Sequence, residues 1–458
     1  MKKVNVVILA AGMGSRMHSG LPKVLHQVAG KPMIDWVLDA VEPLQPDKLI
    51  TVTGVGAEAV QEHIGNDSHF VVQEKQLGTG HAVQQAYPEL KNSEGVTLIM
   101  AGDTPMFRTE TLNELIQEHE RGNNAVTVLT ADAQDPTGYG RIVRGDDGLV
   151  LKIVEQKDAS VTERRIHEIN TGVYVFNNQL LFSALAEVKN DNVQQEFYLP
   201  DTLDILRTQG YQIGAHQIQD FTESLGVNDR VALSVANQVM RQRINRRHML
   251  AGVEFIDPQT VYIDDQVEIG QDTVIEGNVS LQGNTVIGQA NHITTGTVIK
   301  DSQIGDNNVI TSSHIEESTI ANEVTVGPNA HLRPKSHLAD QVHIGNFVEV
   351  KAAEIGRGTK VGHLTYVGNA TLGEDINIGA GTIFVNYDGV NKFQTMVGDR
   401  AFIGSNTKII APVKIAEEAI TAAGSTITED IERHAMGIAR SRQTNKEDFW
   451  QKMPHKKG

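Results

Sequence analysis

A glycine-rich segment near the start of the chain is the first candidate for chemistry. It reads GMGSR at residues 12–16 and is followed by LPK at residues 21–23. Glycines at a strand end let backbone N–H groups approach phosphate oxygens, and Arg16 and Lys23 add positive charge where a polyphosphate leaving group would accumulate negative charge. The spacing fits neither the Walker loop nor the dinucleotide fingerprint, so a simple strand-to-helix turn is an equal alternative.

A second set of candidates lies in a six-residue repeat of the C-terminal half. Arg333 and Lys351 directly follow the aliphatic residue of their repeats, in a position usually given to Gly or Ala, where a long cation costs packing unless it has a function. His363 and Tyr366 share one repeat, and histidine can serve as a general base near neutral pH. Periodicity alone does not select His363, because the same region contains His292, His314, His331, His337 and His343.

Three of these histidines suggest a competing zinc site of the kind found in β-helical carbonic anhydrases. His331, His337 and His343 follow one another at intervals of six residues. The six-residue repeat predicts a parallel β-helix with three faces. In such a coil a spacing of six residues puts each histidine on a different face, so one chain cannot bring all three to one metal ion. We therefore do not expect a zinc site.

The repeat itself predicts the element that positions the second set. From Ile269 onward an aliphatic residue returns every six positions, with a few five-residue steps, and Gly often follows it. Neither an α-helix nor an ordinary strand has this period, whereas a hexapeptide parallel β-helix does. We predict a left-handed parallel β-helix of three faces, with the aliphatic residues inside and glycines that let the backbone turn. Residues 384–395 break the period and contain the turn signature NYDG, so they predict a protruding loop.

Strand and helix patterns alternate in the N-terminal half. Strands are predicted at residues 4–9, 49–52 and 97–100, and helices at residues 33–41 and 109–120, the latter capped by Thr109. The alternation predicts a Rossmann-like α/β domain with a mainly parallel sheet. We expect this domain at residues 1–228, a linker helix at 229–250, the β-helix at 251–440 and a C-terminal tail at 441–458.

The composition excludes several functions. The chain has 458 residues, and 40 basic against 57 acidic residues give a net charge of −17, which argues against nucleic-acid binding. The absence of cysteine excludes disulfides, zinc-thiolate sites and a thiol nucleophile. No stretch approaches the roughly 18 apolar residues of a membrane span, and Asn5 interrupts the apolar run that faintly imitates a signal peptide. We expect a cytoplasmic protein that binds neither nucleic acid nor membranes.

Further motifs carry a resemblance to known enzymes. The glycine loop with LPK resembles the signature of sugar-phosphate nucleotidyltransferases, and narrower matches follow in order: QLGTGHA at 76–82, AGD at 101–103, GYGRI at 138–142, IVE at 153–155, NTG at 170–172 and GVN at 226–228. With the β-helix behind them, these motifs resemble the bacterial enzymes that combine N-acetylglucosamine-1-phosphate uridyltransferase with glucosamine-1-phosphate acetyltransferase. The resemblance covers essentially the whole chain. It implies acetyl transfer from acetyl-CoA to glucosamine 1-phosphate, followed by uridylyl transfer from UTP with release of pyrophosphate.

The resemblance also implies roles for residues of the first half. Contacts to UTP or the product are expected from Leu9, Ala10, Ala11, Gly12, Arg16, Lys23, Gln73, Gly78, Thr79, Ala101, Gly102, Asp103 and Asn228. The sugar and its acetamido group would be held by Gly140, Glu155 and Asn170. Mg²⁺ would be bound by Asp103 and Asn228, which suits an ion that keeps several waters and takes few protein oxygens.

For the second half, the resemblance makes His363 the general base that accepts a proton from the amine of glucosamine 1-phosphate. The sugar phosphate would be bound by Arg333, Lys351, Tyr366 and Asn377. The acetyl-CoA site would be lined by Ala380, Asn386, Tyr387, Ser405, Ala423 and Arg440. The resemblance further implies a homotrimer in which neighbouring chains build each acetyltransferase site.

Two other functions stay open on the sequence alone. One is a nucleotide-sugar pyrophosphorylase whose β-helix is a non-catalytic module, although the cations in the repeat, His363 and the loop argue against it. The other is a structural solenoid without enzymatic activity.

Overall fold

The computed structural model describes residues 3–454, which form two compact units, the first ending at Met240 and the second beginning at Arg241. The division falls within the predicted linker helix, and the finer domain limits stay a prediction. Residues 455–458, the end of the predicted tail, lie outside the described residues. Within the described part of the chain, no helix combines the length and the apolar character needed to cross a membrane.

Eight α-helices occur between residues 3 and 454. They are α1 (Met33–Val41), α2 (Ala57–Ile64), α3 (Thr79–Gln84), α4 (Tyr87–Leu90), α5 (Thr109–Gly122), α6 (Asn178–Leu185), α7 (Asp201–Thr208) and α8 (Arg230–Leu250). The predicted cap of α5 is wrong. Arg108 precedes this helix, and Thr109 is its first residue. The Thr109 hydroxyl donates instead to the carbonyl of Ala40 at 2.9 Å, because a close acceptor in the neighbouring helix is available to it.

The first unit is built on a mixed sheet with the strand order β11-β7-β10-β6-β1-β4-β5. The strands of this unit are β1 (Val4–Ala10), β2 (Gln27–Val28), β3 (Lys31–Pro32), β4 (Lys48–Thr53), β5 (His69–Val72), β6 (Val96–Ala101), β7 (Val126–Asp132), β8 (Arg141–Arg144), β9 (Val150–Val154), β10 (Glu168–Asn177) and β11 (Ile213–Gln217). The half that includes β6, β1, β4 and β5 is parallel, as predicted. Strand β10 runs antiparallel to β6 and β7, and β8 and β9 extend the sheet as an antiparallel pair.

Apolar residues on alternate faces of the strands build the two cores of this sheet. Val7 of β1 packs with α3, α6 and α7, whereas Val6 and Ile8 face α1, α2 and α5. All three side chains are fully buried, and each such burial stabilises the fold by about 1.5–3 kcal/mol. The continuous apolar run of β1 therefore follows from burial on both faces.

The second unit is a β-helix of three parallel sheets, here called faces 1, 2 and 3. Face 1 contains Glu254–Phe255, Val274–Ile275, His292–Ile293, Val309–Ile310, Thr325–Val326, His343–Asn346, Lys360–His363, Asn377–Ile378, Phe402–Ile403, Ile420–Thr421 and Met436–Gly437. Face 2 contains Tyr262–Ile263, Ser280–Gln282, Val298–Lys300, His314–Glu316, His331–Leu332, Glu349–Lys351, Tyr366–Gly368, Ile383–Val385, Lys408–Ile410 and Thr426–Ile427. Face 3 contains Glu268–Ile269, Val286–Ile287, Gln303–Ile304, Thr319–Ile320, Ser336–Leu338, Ala353–Ile355, Ala370–Leu372, Thr395–Val397 and Val413–Ile415. The architecture matches the predicted left-handed parallel β-helix.

The repeating aliphatic residues point into the β-helix, as predicted. Ile275, Ile293 and Ile310 pair in register from coil to coil on face 1, and each is fully buried. The glycines that follow them have a different role from the one expected. A Cβ at Gly345 would lie 1.8 Å from the carbonyl oxygen of Gly362 in the next coil, so this position needs Gly because the coils approach closely. The left-handed backbone turn falls later in the repeat, at residues such as Asn307.

The predicted loop is present but shorter than expected. Phe384 is fully buried in face 2, and Thr395 begins a strand of face 3, so only residues 386–394 leave the coil. Phe384 and Thr395 occupy inward positions of the repeat. The insertion between them interrupts the six-residue period, so the sequence did not identify them as inward residues. Within the loop, the Asp388 carboxylate accepts the N–H groups of Val390 and Asn391 at 2.8 and 2.6 Å.

Candidate active sites

The glycine loop of the first unit lies at the carboxyl ends of three neighbouring parallel strands. Leu9 of β1 pairs with Ala101 of β6, and Ala10 pairs with Thr53 of β4. The N–H of Gly102 donates to the carbonyl of Leu9 at 2.9 Å. In open α/β sheets, ligands bind at the carboxyl ends of the strands. This edge of the sheet therefore contains both the glycine loop and the AGD motif.

A cavity of about 280 Å³ opens at this edge. Ten predicted residues line it: Leu9, Ala10, Ala11, Gly12, Lys23, Gln73, Gly78, Thr79, Ala101 and Asp103. Sequence reasoning missed Val24, Gln76, Ala82 and Glu196, which complete the lining. Gln76 and Ala82 belong to the QLGTGHA motif, whereas no sequence signal marked Glu196.

Three of the residues predicted to contact the nucleotide lie outside that lining: Gly102, Arg16 and Asn228. Gly102 directly follows strand β6, and its N–H donates to the carbonyl of Leu9. Arg16 is exposed, and among residues 3–454 its side chain has no hydrogen bond or ion pair. Its guanidinium is thus free to meet an anion.

The two predicted metal ligands converge on one cation. The Lys23 ammonium contacts Asp103 Oδ2 and lies 3.1 Å from Asn228 Oδ1. The N–H of Val227 donates to the carbonyl of Asp103 at 2.9 Å and so holds the two segments together. One carboxylate and one amide oxygen aimed at the same positive charge are a donor set that suits a hard divalent ion. The residues therefore fit the metal that the motifs implied.

The three predicted sugar residues are brought together on neighbouring strands. The N–H of Asn170 donates to the carbonyl of Gly140 at 2.9 Å. A Cβ at position 140 would lie only 3.0 Å from Glu155 Oε1, so the lack of a side chain at Gly140 makes room for this carboxylate.

Glu155 also lines a neighbouring cavity of about 400 Å³ with Asp158, Tyr198 and Asp201. Burial, reinforced by Asp158 and Asp201, raises the pKa of Glu155. Burial raises the pKa of Asp201 to about 6, with further contributions from Asp158 and Asp204. The Tyr198 hydroxyl is buried and has no hydrogen-bond partner within the described chain. None of these neighbours of Glu155 was predicted.

In the second unit, His363 ends a strand of face 1 and is exposed. Its Nδ1 lies 2.7 Å from Asn346 Oδ1, which can only accept, so Nδ1 carries the proton of the neutral ring. The lone pair is then left on Nε2. Asn346 was missed, although it occupies the same repeat position as His363 one coil earlier.

Cations gather on face 2 and at the corner that follows it. Arg333 donates to Glu349 Oε1 at 2.8 Å, and Glu349 pairs in register with Tyr366. The pKa of the Lys351 ammonium is lowered, first by the charge of Arg333 and then by that of Lys392. Lys392 comes from the protruding loop and was not predicted.

Four of the predicted acetyl-CoA residues line a corner between faces 1 and 2 that starts at His363. The N–H of Gly381, next to Ala380, donates to the His363 carbonyl. The three following coils place Ser405, Ala423 and Arg440 along this corner. Each of them lies within 4 Å of a Cβ added to a glycine of the preceding turn of this corner, at Gly379, Gly404 and Gly424 respectively. Asn386 and Tyr387 lie instead at the base of the protruding loop.

One predicted acceptor residue does not join the others. Asn377 lies on face 1, whereas Arg333, Lys351 and Tyr366 belong to face 2 or the corner that follows it. The three histidines of the zinc alternative are also separated, with His343 on face 1, His331 on face 2 and His337 on face 3. Among residues 3–454, no group of three His, Cys, Asp or Glu side chains is arranged to hold a metal ion.

Fold and sites together define a nucleotidyltransferase joined to a β-helical acyltransferase. Residues 6–199 match the MobA-like NTP transferase domain. The chain is 57% identical to the bifunctional protein GlmU of Lactobacillus helveticus (strain DPC 4571), over 98% of this chain and 97% of that relative. It is 55% identical to the bifunctional protein GlmU of Limosilactobacillus reuteri (strain DSM 20016), over 99% of this chain and 100% of that relative.

The chain therefore belongs to the GlmU family. It is a bifunctional uridyltransferase and acetyltransferase of UDP-N-acetylglucosamine biosynthesis, as the motifs predicted. Its family and its nucleotidyltransferase domain imply small-molecule substrates and a divalent metal ion. The alternatives of a non-catalytic β-helix and of a structural solenoid are thereby set aside.

Proposed function

We propose that each of the two units carries one of the two activities. Uridylyl transfer takes place at the cavity around Lys23 and Asp103, and acetyl transfer takes place around His363. The observation that carries this assignment is that the two clusters of reactive side chains lie in different compact units of the chain.

For uridylyl transfer, the phosphate oxygen of N-acetylglucosamine 1-phosphate attacks the α-phosphorus of UTP, and the bond to pyrophosphate breaks. Such chemistry depends on positioning and on charge neutralisation, with no covalent enzyme intermediate. The glycine loop offers backbone N–H groups to the phosphates, and Arg16 and Lys23 balance the charge that develops on pyrophosphate. Gln73 and Gly78 line the same cavity, and the Gln73 amide donates to the Gly78 carbonyl at 3.1 Å.

The divalent ion of this site is Mg²⁺ in our proposal, held by Asp103 and Asn228. Mg²⁺ takes few protein oxygens and completes its shell with water and substrate phosphates, which matches the two oxygens found near Lys23. When bound, it supplies charge neutralisation at the phosphates. Gly140, Glu155 and Asn170 hold the sugar and its acetamido group next to this centre.

For acetyl transfer, His363 Nε2 accepts a proton from the amine of glucosamine 1-phosphate. The amine nitrogen forms a bond to the thioester carbonyl carbon of acetyl-CoA, the carbon–sulfur bond breaks, and the CoA sulfur leaves with a proton returned by the histidine. Asn346 keeps the ring in the tautomer that this step requires. Arg333, Lys351 and Tyr366 bind the phosphate of the acceptor, and Asn377 is its fourth predicted ligand.

The corner that starts at His363 suits the extended acetyl-CoA molecule. Coils of a β-helix are about 4.8 Å apart, so four steps from His363 to Arg440 span roughly 19 Å. Ala380, Ser405 and Ala423 leave this corner free of large side chains. Asn386 and Tyr387 lie at the loop base between faces 2 and 3, so they would join the proposed acetyl-CoA site from a neighbouring copy of the chain.

We propose further that the protein is a homotrimer that acts in the cytoplasm. Phe347 and Leu364 are 57% and 62% exposed at the corner beside His363, where a neighbouring chain would cover them. Asn377 and Arg333 lie on different faces of one chain, so a site that uses both fits an assembly from more than one copy.

Substitution of one residue per site tests the proposal. Asp103→Ala should abolish pyrophosphate release from UTP and N-acetylglucosamine 1-phosphate while CoA release from acetyl-CoA and glucosamine 1-phosphate continues. His363→Ala should show the reverse. Loss of both activities in either folded variant would contradict separate sites.

A further inference from the structure

Arg141 is a fully buried cation on strand β8. Its side chain is 1% exposed, and it forms no ion pair with any residue between 3 and 454. The guanidinium donates instead to two neutral acceptors, from Nη1 to the carbonyl of Tyr139 and from Nη2 to Gln156 Oε1 at 2.6 Å. Burial lowers the pKa of this guanidinium. The charges of Asp135 and Glu155 offset this lowering only in part. Because a buried charge without an ion pair is costly, stability alone gives little reason for a cation here.

Both acceptors are chain neighbours of the proposed sugar residues. Tyr139 precedes Gly140, and Gln156 follows Glu155. Gln156 Oε1 also accepts the N–H of Gly138 at 3.3 Å. One guanidinium therefore ties the loop before β8 to the end of β9.

The backbone of Arg141 joins the third sugar residue to this arrangement. Arg141 pairs with Val154 of β9 and with Ile169 of β10, so Glu155 and Asn170 each lie one residue beyond its partners. Gly140 O accepts the N–H of Asn170 at 2.9 Å, and a Cβ added at Gly140 would lie 3.0 Å from Glu155 Oε1, so these groups are closely packed. A small displacement of the loop would change the separation of these groups.

We propose that Arg141 is a positioning residue for the sugar half of the uridylyl-transfer site. Its guanidinium holds Gly140 and Glu155 at the separation that N-acetylglucosamine 1-phosphate requires, without touching the substrate. The inference rests on the proposed function of the first unit. It predicts an effect on the sugar phosphate alone, because the residues around UTP are held by other contacts, such as Gly102 to Leu9 and Lys23 to Asp103.

The test compares Arg141→Met with Arg144→Met in the full-length protein. Arg144 lies on the same strand but is more exposed and pairs with Glu168 at 2.6 Å, so its loss removes an arginine without touching the sugar residues. We expect Arg141→Met to raise the KM for N-acetylglucosamine 1-phosphate by about ten-fold or more, because small misplacements are costly in catalysis. The KM for UTP should stay within about two-fold of that of the unmodified protein. Such a result would show that only the binding of the sugar phosphate is weakened. Arg144→Met should change neither value.

A second variant keeps the test decisive if Arg141→Met does not fold. Gln156→Leu removes the principal acceptor, and it should raise the KM for the sugar phosphate in the same selective way. If Arg141→Met folds, adding Gln156→Leu to it should raise the KM for the sugar phosphate only little further, because the two side chains act through one hydrogen bond. Arg141→Lys should restore part of the lost affinity through a single donor.

Two results would overturn the inference. One is an unchanged KM for the sugar phosphate in Arg141→Met or, if that variant is unfolded, in Gln156→Leu. The other is an equal rise of both KM values together with a lower melting temperature, which indicates a merely structural role. Failure of the proposed function is recognised separately, since the unmodified protein would then release no pyrophosphate.

Discussion

At the scale of single residues, the two proposed sites depend on partners that lie far away in the sequence. Asn346 is 17 residues from His363, yet the coil step places its Oδ1 2.7 Å from the imidazole. Lys23 is 80 residues from Asp103 and 205 residues from Asn228. In both cases the reactive group is oriented by a hydrogen bond that only the fold creates.

The first prediction concerns the orientation of His363. Asn346→Ala removes the acceptor that fixes the proton on Nδ1, so kcat for acetyl transfer should fall by roughly ten-fold, less than the full contribution of a general base. Uridylyl transfer should not change. Thr325→Ala is the matched control, because Thr325 contacts Nδ1 of another histidine, His343, at 2.6 Å. An equal loss of acetyl transfer in both variants would contradict the specific role of Asn346.

The second prediction concerns the pH dependence of stability at Asp201. Burial raises its pKa to about 6, well above the usual range of an aspartate, so the native state holds the proton more tightly than the unfolded chain. The contribution of this carboxyl to stability is therefore present below the unfolded pKa and is lost as the pH rises through about 6. Asp201→Asn should stabilise the first unit at pH 8 and have little effect at pH 4.

Calorimetric melting at both pH values measures this effect. A gain of about 1 kcal/mol shifts the melting temperature of a unit of this size by roughly 2–4 °C. A gain that is equal at pH 4 and pH 8 would show that the raised pKa of Asp201 is not the cause.

Where a motif contained them, the residues that sequence reasoning selected are brought together by the fold. Ten of the residues predicted for the nucleotide line one cavity, and Asp103 and Asn228 converge on Lys23. Glu196 and Lys392 were missed because each approaches its site from a segment without a motif. Asn346 could have been predicted from the sequence, because equivalent positions of successive coils lie next to each other in a β-helix, and Asn346 is equivalent to His363.

At the scale of elements, the six-residue period determined the β-helix because only inward aliphatic residues repeat in this way. The period did not reveal the ends of the loop, since Phe384 and Thr395 are inward residues separated by an insertion. It also assigned the wrong role to Gly345, which is required by the approach of the next coil. The antiparallel strand β10 was not predicted, because strand direction leaves no trace in hydrophobic periodicity.

The third prediction tests the role of this glycine. Gly345→Ala places a methyl group 1.8 Å from Gly362 O, so the coils must separate and the β-helix should lose about 1–3 kcal/mol of stability. Gly362→Ala is the matched control from the next coil, where nothing lies within 4 Å of an added Cβ. Thermal unfolding measures both variants. Equal stability of the two would contradict the proposed packing constraint.

At the scale of the whole molecule, the chain joins a nucleotide site and an acyl-transfer site in one protein of the GlmU family. The sheet of the first unit and the coils of the second are stabilised by separate cores. The fold of one unit therefore does not follow from the fold of the other. The fourth prediction concerns assembly. A homotrimer should sediment with a mass of about 150 kDa, three times the 50.0 kDa of one chain, whereas a mass near 50 kDa would contradict the proposed trimer.

The most direct measurement of the central claim mixes two one-site variants. Asp103→Ala and His363→Ala are incubated together with glucosamine 1-phosphate, acetyl-CoA, UTP and Mg²⁺, and UDP-N-acetylglucosamine is measured. Each variant alone should make none, whereas the mixture should form it, because the acetylated product of one variant is the substrate of the other. A mixture that stays inactive, although both variants are folded, would contradict two separable sites.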